Sequence, residues 1–81
     1  MLTGLIELRV TEHAKARIIE RGLVMPPFKF RAGQIRVIEN SPERAVVMFK
    51  DGQVSILGHV SKNVWDLVTC FETGSKRSWQ Y

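Results

Sequence analysis

The chain has 81 residues, 44% hydrophobic and 25% charged, which fits one small globular domain over 1–81 and leaves no length for a second. Twelve Lys and Arg against eight Asp and Glu give a net charge of +4, a mild pointer to a polyanionic partner. No apolar run approaches the roughly 18 residues of a membrane span, and one cysteine with two histidines cannot assemble a disulfide or a structural zinc set.

In chain order, Leu5 to Val10 (LIELRV) alternates apolar and charged residues and predicts a short strand. Its Glu7 and Arg9 stand where a secretory leader would need an apolar centre, so a cytoplasmic location with no membrane role is expected. Thr11 to Arg21 predicts a helix, with Thr11 as N-cap, Glu12 in the first turn and Gly22 as the stop. At about 100° per residue, Ala14 and Ile18 share an apolar stripe that Val10 and Leu23 extend. His13, Arg17 and Arg21, spaced four apart, form a second stripe beside it. Met25-Pro26-Pro27 then interrupts the chain, and FKFRAG after it admits a second short helical turn closed by Gly33.

From Gln34 onward the signals turn to β. QIRVIE, AVVMFK, QVSILGHV and NVWDLVTCF are rich in β-branched and aromatic residues. Asp51-Gly52 is a hairpin signal, and Asn40-Ser41-Pro42 and Ser61-Lys62-Asn63 supply the other reversals. Connections this short exclude parallel crossovers. The predicted fold is therefore α+β: an N-terminal helix, with at most a second short one, packed on a four-stranded antiparallel sheet. Both strand faces are apolar, since Ala45, Val47 and Phe49 alternate with Val46 and Met48, and Trp65, Leu67 and Phe71 with Val64 and Val68. The second face is open to three readings: a functional concavity, a homodimer surface, or the seat of the tail 72–81, itself either flexible or an extra strand anchored by Trp79.

His13-Ala14, Arg17, Glu20-Arg21-Gly22 and the later Leu67-Val68-Thr69 resemble a small bacterial and phage family of domains of unknown function, whose pattern reads HA, R, ERG and ends in a strand of the VVTVY kind. That family is similar to the RelE/ParE toxins and the wider barnase, EndoU, colicin and RelE group of ribonucleases. The likeness covers the helix and the last three strands. The family carries a second helix after its ERG segment, where this chain has Met25-Pro26-Pro27-Phe28.

The resemblance implies a toxin-like, metal-independent endoribonuclease acting on RNA or the ribosome, with an antitoxin as partner and no cofactor. Such cleavage needs a base for the 2′-OH proton, an acid for the leaving oxygen, and cations over the phosphate. On this reading His13 carries the proton, because histidine titrates nearest neutral pH. Arg17 and Arg21 hold phosphate through their planar guanidinium groups. Thr69 holds a phosphate or orients a side chain from the sheet, His59 is a second acid or base if the fold brings it near His13, and Arg44, Lys62, Lys76 and Arg77 extend the basic surface.

Plainer readings stand beside each assignment. Arg17 and Arg21 can pair with Glu12, Glu20 or Asp66, and His13 can be a surface residue. His59 is a natural cross-strand partner of Trp65; Thr69 suits a strand without any function; Cys70 is a small buried hydrophobe rather than a nucleophile. Asp66 discriminates, because a pair with Arg17 or Arg21 would turn the basic stripe toward the sheet. The alternative function is a non-catalytic phage or mobile-element module that binds and inhibits a host protein or binds nucleic acid.

Overall fold

The computed structural model describes residues 2–50 and 52–72. Strand β1 (Leu5–Val10) leads into helix α1 (Glu12–Arg21), followed by β2 (Lys29–Arg31), a 3-10 turn at Ala32–Gln34, β3 (Arg36–Asn40), β4 (Arg44–Lys50), β5 (Gln53–Ser61) and β6 (Val64–Glu72). The strands form one sheet in the order β2-β1-β6-β5-β4-β3. The last four make the expected antiparallel meander. β1, however, lies parallel to β6, with Leu8 beside Trp65 and Val10 beside Leu67, and β2 pairs antiparallel with β1.

The α+β expectation of a helix on a four-stranded antiparallel sheet is thus corrected to a mostly β domain with a six-stranded, mixed, curled sheet and one helix. The short-connection rule constrains consecutive strands only. The link from β1 to β6 is the whole intervening domain, which is ample for a parallel pair. Within FKFRAG, Lys29–Arg31 form strand β2, and the expected helical turn is reduced to the 3-10 turn at Ala32–Gln34. Phe30 is buried while Lys29 and Arg31 face outward, a period of two that suits the free edge of β1. Leu8 N–H donates to the Phe28 carbonyl and Ala32 N–H to the Gly4 carbonyl, so β2 is pinned beyond both its ends.

Helix α1 begins and ends as predicted. Thr11 Oγ1 accepts from Ala14 N–H at 3.1 Å, an N-cap of a kind that stabilises by about 1 kcal/mol. Gly22 adopts φ 64°, ψ 33°, and its N–H and that of Leu23 bond back to Ile19 and Ile18. This Schellman ending needs a left-handed residue that glycine enters without a Cβ penalty.

The main core gathers Ile6, Leu8, Phe30, Ala45, Val47, Leu57, Trp65, Leu67 and Cys70, with Ala14 and Ile18 of α1 packed on them. Phe30 of edge strand β2 meets Phe49 of β4 edge-on at 4.8 Å, and Leu2 N–H reaches Asn40 Oδ1 at 3.0 Å, so the two ends of the sheet curl toward each other. Val46, Val54 and Ile56 form a second cluster with Met48 and Phe71. A β-bulge sorts the two clusters. The register passes from Thr69 opposite Ile56 to Leu67 opposite Leu57, leaving Val68 unpaired. Beyond it the alternation inverts, so Cys70 rather than Phe71 shares the core face with Trp65 and Leu67, contrary to the simple alternation of the sequence. Of the expected tail 72–81, Glu72 is the last residue of β6, opposite Gln53, and 73–81 lie outside the described residues.

Candidate functional site

The helix stripe is engaged locally. Thr11 Oγ1 also donates to the Leu67 carbonyl at 3.2 Å, which lays α1 along β6 on the main-core side. At the other end, Arg21 Nη1 donates to the Cys70 carbonyl at 2.7 Å. Arg17 lies 3.5 Å from Glu20, an exposed pair of little energetic weight. His13 is exposed in the first turn and makes no hydrogen bond among the described residues. Asp66 pairs with neither arginine. It faces away from the helix and takes Arg9, its neighbour across the parallel ladder, at 3.4 Å from Nε to Oδ1, an ion-pair distance without hydrogen-bond alignment.

The other expected residues are dispersed. Thr69 stands opposite Ile56 on the second face, so the sheet separates it from the helix stripe. His59 stands opposite Trp65 with ring centroids 4.9 Å apart, the cross-strand arrangement that the sequence favoured. No hydrogen bond or ion pair joins any two of His13, Arg17, Arg21, His59 and Thr69 among the described residues. Arg44 is paired with Glu39 at 3.1 Å. Lys76 and Arg77 lie outside the described residues.

Lys62, one of the expected basic residues, borders a concavity. A groove of about 460 Å³ opens between β1, β2 and the β5–β6 turn, lined by Leu5, Ile6, Glu7, Lys29, Lys62, Asn63 and Val64. It is assembled by pairing. Glu7 is in register with Lys29 on one side and Val64 on the other, and Glu7 N–H donates to the Asn63 carbonyl at 2.8 Å. Leu5 and Val64 supply apolar surface, and Lys29 and Lys62 supply the cations. Neither lysine has an ion-pair partner among the described residues. Arg31, opposite Leu5, adds a third cation on the same face.

Sequence reasoning missed Leu5, Glu7, Lys29, Asn63 and Val64, because the groove exists only once β1 is inserted between β2 and β6. The usable signal was the outward set Leu5, Glu7 and Arg9 in LIELRV, whose apolar member has no place on a solvated face.

Cys70 is buried, with Sγ 3.3 Å from Ser55 Oγ. Burial pushes its thiol above the ordinary range, against the opposing hydrogen bond from Ser55. It is a packed core group with no base hydrogen-bonded to it among the described residues, the environment of a small buried hydrophobe.

No family model, curated protein or solved structure matches this chain. No helix among the described residues is long and apolar enough to cross a membrane.

Proposed function

We propose that the protein is a non-catalytic cytoplasmic module that binds single-stranded RNA in the groove between β1, β2 and the β5–β6 turn. The observation that carries this reading is the pair of lysines without ion-pair partners, Lys29 and Lys62, flanking a groove with apolar lining. Ammonium groups attract phosphate as point charges, and Leu5 with Val64 offers a surface that an unpaired base can cover. A duplex keeps its bases stacked inside and would leave that surface bare. Glu7 repels phosphate but accepts hydrogen bonds, and the ribose 2′-OH is a donor that DNA lacks.

The ribonuclease implied by the resemblance draws no support from this arrangement. It needs an acid, a base and phosphate-binding cations around one opening, whereas Arg21 is bonded to a main-chain carbonyl and Thr69 lies across the sheet from His13.

Fluorescence anisotropy with a single-stranded RNA of about 12 nucleotides tests the proposal, a length within the site size of small nucleic-acid-binding barrels. Affinity is expected to fall steeply with salt. The Lys29→Glu/Lys62→Glu double variant should lose at least about tenfold in affinity and flatten the salt slope by about 0.7 for each lysine. Unchanged affinity in that variant, or equal binding of a blunt duplex, overturns the reading. Equal affinity for the matching DNA strand removes the part assigned to Glu7. Cleavage of the RNA that His13→Ala abolishes would overturn the non-catalytic proposal in favour of the ribonuclease.

A further inference from the structure

The β5–β6 turn that carries Lys62 is irregular in two ways, and a buried residue beside it has an unpartnered polar atom. Lys62 has φ 43°, the positive-φ conformation that a side chain with a Cβ disfavours and glycine enters freely. Just before it the ladder jumps from His59 opposite Trp65 to Ser61 opposite Val64, so Val60 is an extra, bulged residue. The Trp65 indole N–H is buried with no hydrogen-bond partner among the described residues. Bulges re-aim side chains, and a strained non-glycine residue persists only where its surroundings over-determine it.

His59 supplies that over-determination. Its Nε2 donates to the Lys62 carbonyl at 3.0 Å, and its ring lies against Trp65 at an interplanar angle of 51°. Trp65 is fully buried, so the clasp is anchored in the core. The residue held in this costly conformation is also one of the two lysines bordering the groove.

We infer that His59 is a positioning residue: bonded to the Lys62 carbonyl and backed by Trp65, it holds the turn so that the Lys62 ammonium group is preorganised at the groove. A glycine at 62 would relieve the backbone; lysine stands there for its charge. The inference rests on the RNA-binding reading and assigns His59 no contact with RNA.

The same single-stranded RNA probe separates the two claims. Lys62→Gly should melt no lower than the wild type, yet bind more weakly and with a salt slope reduced by about 0.7. His59→Ala should weaken binding on the order of fivefold through lost preorganisation, with the salt slope unchanged because every cation remains. His59→Gln, whose amide can donate to the Lys62 carbonyl, should recover most of the affinity. In the Lys62→Gly background, His59→Ala should have no further effect, since no ammonium group is left to position. If Lys62→Glu binds RNA as tightly as the wild type, the site itself is wrong. If Lys62→Glu weakens binding but His59→Ala does not, or if His59→Ala costs the same in both backgrounds, the groove stands and the positioning role is overturned.

Discussion

Replacing Gln53 by alanine removes the side chain that holds the segment between α1 and β2. Its amide makes a reciprocal pair with one residue: Nε2 donates to the Val24 carbonyl at 2.6 Å, and Oε1 accepts from Val24 N–H at 2.9 Å. Gln53 itself is only 5% exposed. Each bond contributes about 1 kcal/mol net, and truncating a buried side chain leaves a void beside Val24, so Gln53→Ala should destabilise by about 2–3 kcal/mol. For a domain of this size that corresponds to a melting midpoint lower by roughly 10–20 °C. Circular dichroism on heating measures the shift, and hydrogen exchange at Val24 should accelerate because its amide loses its acceptor. Gln53→Glu is a second probe. It keeps an acceptor for Val24 N–H but sets a carboxylate against the Val24 carbonyl, so it should be destabilised at neutral pH and recover as acid protonates the introduced carboxyl. A midpoint for Gln53→Ala within about 3 °C of the wild type would mean that the pair has no net value in the folded state.

Arg21→Met keeps the aliphatic stem and loses the bond to the Cys70 carbonyl, so stability should drop by about 1 kcal/mol in denaturant titration. RNA affinity should stay within about twofold, whereas an arginine on phosphate would lose more. Cys70 predicts an alkaline limb. Burial raises its pKa in the folded state, so its contribution is complete below the ordinary thiol value of 9.0 and is lost as pH rises through that value toward the raised one. Urea denaturation between neutral and alkaline pH should show this decline, and Cys70→Ala should lessen its slope; an identical slope in both proteins refutes the assignment.

The helix and the four-strand meander were legible because their determinants are local. Thr11 and Gly22 delimit α1 through bonds spanning at most five residues, and the reversals around Ser41 and Lys62 connect strands adjacent in sequence. The sheet's other edge was not legible. LIELRV announces a strand, but nothing within it says that its partner is Val64 to Leu67, far along the chain and parallel. The partner of Asp66 follows from the same missing pair. Once β1 lies beside β6, Arg9 is adjacent, and the helix arginines are on the wrong side of the sheet. The bulge at Val68 had no signal either, because valine there fits regular alternation as well as an interruption of it. Regular alternation therefore places Phe71 on the face that Cys70 occupies.

The same long-range pairing ties the proposed binding to folding. Leu5 and Glu7, Lys29, and Lys62 with Val64 come from three separate parts of the sequence, and they meet only when β1 sits between β2 and β6. An unfolded or partly unzipped chain has no groove, so the proposed RNA binding requires the complete sheet. A ligand at about 100 times its Kd would then add about 2.7 kcal/mol to the folded state, comparable with the contribution assigned to Gln53. That stabilisation should vanish in Lys29→Glu/Lys62→Glu, whose substitutions lie outside the core. It should persist in Arg21→Met, which disturbs the helix and leaves the groove intact. Substitutions of equal charge remove diffuse charge from the comparison: Lys62→Met and Arg21→Met each take away one positive charge and only the first touches the groove, so a basic surface acting through its diffuse charge alone would not separate them.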